Sequence, residues 1–240
     1  MQLIGLLLLG FVIWFGFSER DGQVISAFDF HAFVMVLGGS LSAVLSSSSA
    51  STSLRTFTAL RETLPGLGVL QAGTDAVESD RSQLVELWSD GRRAQAVQLA
   101  EASPNPAISR MIELVLSRAP EETIRSVFTE IRHAEVSRWQ PAIANWELLA
   151  KIAPSFGMVG TITGMIQLFR TLGEDTNMGA AISLALLATL YGVAFGAGVA
   201  GPIGHFLRNL LDERIGVYER CEQSVSDLIA RAGRSAAGGA

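Results

Sequence analysis

KIAPSFGMVGTITGMIQLFR (residues 151–170) and AAISLALLATLYGVAFGAGVAGPIGHFLR (residues 180–208) decide the fold of this chain. TLGEDTNMG (171–179) joins them. No charged side chain lies between Lys151 and Arg170, and none between Asp175 and Arg208. Each run is near the ~20 residues that a helix needs to cross a hydrocarbon core of about 30 Å. The link is long enough only for a tight turn, so the two segments are predicted to form an antiparallel membrane hairpin.

Gly157, Gly160 and Gly164 mark the first segment, and Gly192, Gly196, Ala200 and Gly204 recur every four residues on the second. Small residues at that period let helix backbones approach closely in lipid, where the hydrophobic effect no longer drives helices together. Helical spacing puts Thr161 on the side of Gly157 and Gly164, and Thr189 on the side of Gly192 and Gly196. Pro154 and Pro202 lie near the same end of the hairpin, where each can kink its helix and free a carbonyl. On spacing alone, two readings stand: residues that serve packing only, or residues that line a path.

The segments APSFGMVGTITG, ALLATLYG and GPIG resemble the MotA/TolQ/ExbB superfamily, membrane subunits that turn ion flow into mechanical work. The likeness is strong over about 150–208, collinear but weaker elsewhere, and most marked for the MotA and PomA branch of flagellar stator subunits. It implies that Thr161 and Thr189 face the ion path and that Pro154 and Pro202 act as hinge or gating positions. It places Gly157, Gly164, Gly192 and Gly196 in helix packing. It also implies a homo-pentamer in the bacterial inner membrane, built around a dimer of a MotB-like single-span partner whose aspartate carries the ion. Branch members engage a rotor protein through an Arg and, eight residues on, a Glu; RAQAVQLAE places Arg93 and Glu101 at that spacing. The family usually has Gly three residues after the Arg and Leu before the Glu, where this chain has Ala96 and Ala100. Arg and Glu at this spacing also occur on ordinary solvated helices.

Composition agrees with a membrane protein: 49% hydrophobic and 17% charged. A net charge of −5 without a basic run argues against a nucleic-acid partner. The one cysteine, Cys221, excludes an internal disulfide and gives no metal-site spacing. No nucleophile motif or phosphate loop is present, so no catalytic residue, metal or cofactor is expected beyond the transported H+ or Na+.

In chain order, MQLIGLLLLGFVIWFGF (1–17) reads as an uncleaved membrane helix, with Trp14 at a headgroup boundary. After SERDGQ, a second apolar run covers about 27–47 and contains Asp29, His31 and a Gly38–Ser40 break. Asp29 and His31 read as boundary residues near a helix end rather than an intramembrane relay. SSSSASTS (46–53) is either a loosened exit or a Ser-rich helix end. Ser82–Ala100 carries a helical distribution of apolar residues. Pro120 followed by Glu121 and Glu122 is a helix start. Pro141 is expected to bend that helix, with Trp139 and Trp146 at the cytoplasmic interface or in the core. Leu210–Ile229 is amphipathic, and RAGRSAAGGA (231–240) reads as disordered.

The expected fold class is all-α: a polytopic membrane protein with four transmembrane helices, near 1–17, 27–47, 150–170 and 179–206, and a helical cytoplasmic domain. Residues 1–48 hold helices 1 and 2, 49–146 the cytoplasmic domain, 147–208 the hairpin of helices 3 and 4, and 209–240 a cytoplasmic helix with a flexible tail. Ten Arg in the middle segment and five from Arg208 onward put the middle segment and the C-terminal tail on the cytoplasmic side, with the N-terminus periplasmic.

Neither helix of the hairpin has a carboxylate, the usual carrier of a proton or sodium ion in a membrane, inside its span. Threonine can lend a neutral oxygen but cannot hold a proton at useful pH. If ions pass here, another chain supplies the acid. The leading reading is a MotA/PomA-like stator subunit. The alternatives are a TolQ/ExbB-type subunit that energises outer-membrane transport or integrity, and a scaffold that conducts nothing. A neighbouring reading frame for a single-span, peptidoglycan-binding partner favours the first, and an ExbD-like one the second.

Overall fold

A computed structural model describes residues 7–8, 10–11, 29–63, 68–170 and 178–237. Among the described residues every regular element is a helix. They are α1 (Phe30–Phe33), α2 (Gly39–Ser47), α3 (Ala50–Thr58), α4 (Val69–Ser89), α5 (Arg93–Ala102), α6 (Pro106–Ser117), α7 (Glu121–Arg170), α8 (Met178–Phe195) and α9 (Gly201–Ala237). A π turn, Val34–Gly38, joins α1 to α2, and another, Gly196–Ala200, joins α8 to α9. A 3-10 segment, Ala59–Thr63, follows α3.

Three stretches are long and apolar enough to cross a membrane: Phe30–Ser47, Glu121–Arg170 and Met178–Ala232. Of the expected helix 1–17, Leu7, Leu8, Gly10 and Phe11 are described and helical. The rest of it, Trp14 included, lies outside the described residues, as do the SERDGQ link and residues 171–177 of the hairpin turn.

The chain forms two compact units, residues 1–65 with 141–207, and residues 66–140 with 208–240. The first holds the apolar spans. Asp29 starts α1 as its N-cap, accepting hydrogen bonds from the backbone N–H of His31 at 2.8 Å and Ala32 at 3.1 Å. The backbone turns out of the helix at Ser48, and Ser49 then caps α3. The Ser-rich stretch is therefore a helix end followed at once by a new helix start. In α1–α2 the residues Ala32, Val36, Ser40 and Val44 are buried, and in α8–α9 Gly192, Gly196, Ala200 and Gly204 are buried. Each set recurs every four residues and each contains a π turn. The Ser40 hydroxyl donates to the carbonyl of Val36 at 2.7 Å within its turn.

Three helices of this unit are tied by polar side chains. The Ser48 hydroxyl donates to Asn145 Oδ1 at 2.8 Å, Asn145 Nδ2 donates to Thr56 Oγ1 at 2.8 Å, and Trp146 Nε1 donates to the Thr56 carbonyl at 3.0 Å. Trp146 is thus a core residue and not an interface anchor, because its N–H has a buried partner. α7 runs unbroken through both Pro141 and Pro154.

The second unit has an apolar core that includes Leu84, Ile108, Met111, Phe128, Tyr218 and Val225. α6 begins on an Asn105 cap with Pro106 in its first turn, and ends at Arg118 in the left-handed conformation. The pattern over Ser82–Ala100 is not one helix. Gly91, at φ 77°, breaks it between α4 and α5, a conformation that costs glycine nothing. The segment after Ile229 is helical as far as Ala237. Ion pairs bind this unit's surface: Glu78 meets both Arg81 and Arg220, and the hydrogen bond from Arg81 holds its carboxyl below the usual range. Deeper in, Arg214 pairs with Glu135 at 3.2 Å and donates to the Tyr218 hydroxyl at 3.0 Å.

Candidate functional site

α7 and α8 touch through their glycines. A Cβ on Gly157 would lie 2.9 Å from the carbonyl oxygen of Ala188, and one on Gly164 would lie 2.7 Å from that of Ala181. From the other side, a Cβ on Gly192 would lie 2.7 Å from the carbonyl oxygen of Ala153. These are backbone neighbours, so no rotamer change makes room. Gly196 presses on Pro154 in the same way, its added Cβ falling 2.8 Å from Pro154 Cδ and 2.8 Å from the carbonyl oxygen of Ala150. That carbonyl is the one deprived of its helical donor by Pro154. Pro202 lies two residues beyond the π turn and is exposed.

This crossing brings the two threonines together. Their hydroxyl oxygens are 2.5 Å apart. Thr161 Oγ1 also lies 3.2 Å from the Gly157 carbonyl and 3.3 Å from that of Ala185. The two hydroxyls carry one proton each. If one donates to the other, and the second donates to a carbonyl, the first oxygen accepts nothing from the hairpin. Its lone pairs remain for a ligand from outside. Thr189 is exposed, and around the pair so are Met158, Ile162 and Met165 of α7 and Leu186 and Val193 of α8. The pair therefore opens onto an apolar surface, where a neutral oxygen counts for more than it does in water.

Asp29 is not at this pair. Its backbone N–H donates to the Tyr191 hydroxyl at 3.1 Å, a contact that spacing along the sequence does not signal. Among the described residues, no group of three or more His, Cys, Asp or Glu could hold a metal ion.

In the other unit, Arg93 opens α5 and Glu101 lies near its end, both exposed. The Arg93 guanidinium sits 5.4 Å from the ring centroid of Trp88. Ala96 and Ala100 are fully buried beneath them. The two alanines that differ from the family pattern are thus the positions by which α5 packs on its core.

The profile of the MotA/TolQ/ExbB proton channel family matches residues 100–220. The chain belongs to that family. Its relatives include Motility protein A of Aquifex aeolicus, 30% identical over 112 residues, which make up 46% of this chain and 44% of the relative. Chemotaxis protein PomA of Vibrio alginolyticus is 24% identical over 130 residues, 54% of this chain and 51% of the relative. The chain is thus matched over about half the length of these relatives. In fold, this family member resembles the solved flagellar MotAB stator complex of Bacillus subtilis, with a TM-score of 0.75 at 20% identity, covering 95% of this chain and 88% of that one. The C. jejuni MotAB structure gives a TM-score of 0.74 at 16% identity, covering 95% and 89%. The family match takes in both threonines and both hairpin prolines, and also Glu101, but not Arg93.

Proposed function

We propose that this chain is the channel-forming subunit of an ion-driven rotary motor of MotA/PomA type. The observation that carries the reading is the Thr161–Thr189 pair: an exposed neutral-oxygen site on a hairpin whose sequence has no carboxylate within its spans. Such a site serves an acid brought by another chain. A MotB-like helix with an aspartate fits it, and the likeness in fold to MotAB stator complexes supports that partner. Five copies around a partner dimer, a path for H+ or Na+ along α7 and α8, and hinges at Pro154 and Pro202 belong to the same proposal. So does a protein–protein contact to a rotor through Arg93 and Glu101. The complex works in the inner membrane and needs no cofactor.

The experiment is restoration of swimming, by this chain and its genomic partner, in a strain lacking its own stator subunits. Motility that depends on both chains is the expected result; none, with both present in the membrane, overturns the flagellar assignment. In the same assay Arg93→Glu and Glu101→Arg should each impair torque while leaving assembly and ion leak unchanged. If both reversals swim normally, these side chains are solvated surface and no more.

Four membrane helices with a periplasmic N-terminus complete the proposal, resting on the distribution of arginine. Residues 66–140 are then cytoplasmic. A cysteine at Ser126→Cys should stay unlabelled by an impermeant maleimide in intact cells and react after permeabilisation. Labelling in intact cells would invert the topology.

A further inference from the structure

α3 is built inside out. Two of its hydroxyls are buried, Ser53 at 6% exposed and Thr56 fully, the latter held by Asn145 and Trp146, while Ser51 and Thr58 are exposed. Its large apolar residues face outward, Leu54 at 66% and Phe57 at 40% exposed, beside exposed Arg55 and, in the following 3-10 turn, exposed Arg61. A helix on a water-facing surface would show the reverse order, since a buried hydroxyl needs a specific partner and an exposed Phe has no gain in water.

The position of α3 explains the inversion. Only two residues separate it from the end of the apolar stretch Phe30–Ser47. The Ser48–Asn145–Thr56 hydrogen bonds pin it beside α7 six residues before Lys151, the first charge at the edge of the hairpin's uncharged run. Six helical residues are about 9 Å of rise. That is the depth of a headgroup layer, next to the hydrocarbon edge. Apolar side chains flanked by arginines suit this layer: the rings and aliphatic groups enter the acyl boundary while the guanidiniums meet anionic headgroups.

We propose that α3 is an interfacial elbow whose Leu54–Phe57 face binds the cytoplasmic-leaflet surface, with Arg55 and Arg61 engaging anionic phospholipid. The polar cluster at Thr56 holds the elbow against α7 so that its apolar face is turned to lipid. This rests on the membrane placement of residues 30–47, which the experiment reads separately.

The test uses the full chain with its partner in liposomes and a nitroxide label at Leu54→Cys or Phe57→Cys. Cys221 is fully buried, so the native background carries no competing label site. Leu45→Cys in α2 is the hydrocarbon reference and Ser126→Cys the aqueous one. Labels at 54 and 57 should favour oxygen over a nickel chelate as the label at 45 does. A nickel-accessible pattern like that at 126 overturns the proposal, and so does inaccessibility to both reagents, which would mean that protein covers the face. Nickel accessibility at 45 itself would instead overturn the underlying membrane placement. In a second arm, adding phosphatidylglycerol to phosphatidylcholine vesicles should increase the depth reported at 54, and Arg55→Gln with Arg61→Gln should abolish that increase. No effect of the anionic lipid removes the headgroup contact from the proposal.

Discussion

Thr189→Val is expected to leave folding and assembly intact and to reduce ion-coupled work. Valine keeps the branched shape and removes one oxygen. In the hairpin that oxygen is bonded to Thr161, and the pair shares the carbonyls of Gly157 and Ala185. Its loss leaves Thr161 with only backbone acceptors and deprives the incoming ligand of one neutral oxygen. A hydrogen bond left unmade at a dry site costs on the order of 1–3 kcal/mol, which is roughly five- to 150-fold in the occupancy of the site. The measurement is torque or swimming speed against ion concentration, with chain levels in the membrane matched. For a sodium-driven complex, higher sodium should restore part of the loss. For a proton-driven one, sodium should have no effect. Unchanged output and unchanged ion dependence in the variant would mean that Thr189 serves packing alone.

A single methyl group at Gly192 should do comparable harm by another route. The added carbon would fall 2.7 Å from the Ala153 carbonyl oxygen and 3.0 Å from Gly157 Cα. Both are backbone atoms of a continuous helix, so the helices must separate. Overpacking of a tight contact costs about 1–3 kcal/mol, and separation here also parts Thr161 from Thr189. Gly192→Ala should therefore lower both the yield of folded chain in the membrane and the thermal midpoint in detergent. Gly179→Ala is the control: nothing lies within 4 Å of its added carbon. Equal stability of the two variants would show that the crossing is looser than these distances.

The hairpin was legible because lipid imposes simple demands. Uncharged runs of the right length and small residues at helical spacing lead directly to the α7–α8 crossing and to the threonine pair. Other features are settled by contacts far apart in the chain. Asn145 and Trp146 read as the end of a polar segment, and their partner Thr56 lies about 90 residues earlier. No local pattern announces that contact, which is why Trp146 reads first as an interface residue. The break at Gly91 was hidden for a different reason. α4 and α5 bury residues in the same core, so the apolar pattern continues from Leu84 to Ala100 across a turn. The compact unit that holds the spans also begins at Pro141, before the apolar run starts, because burial there is by packing and not by lipid.

The π turns bear on how such helices tile. A repeat of four on a helix of 3.6 residues per turn gains about 40° at each step, so the two periods beat like a vernier. From Gly192 to Gly204 the accumulated error is about 120°, a third of a circle. One extra residue taken up in a π turn returns about 100° of it. That keeps Gly192, Gly196, Ala200 and Gly204 buried on one side, and Ala32, Val36, Ser40 and Val44 likewise. The turn is thus a phase correction written as a single residue. A relative without it must carry one residue fewer at this point, or its fourth small residue swings away from the contact and is free to become large.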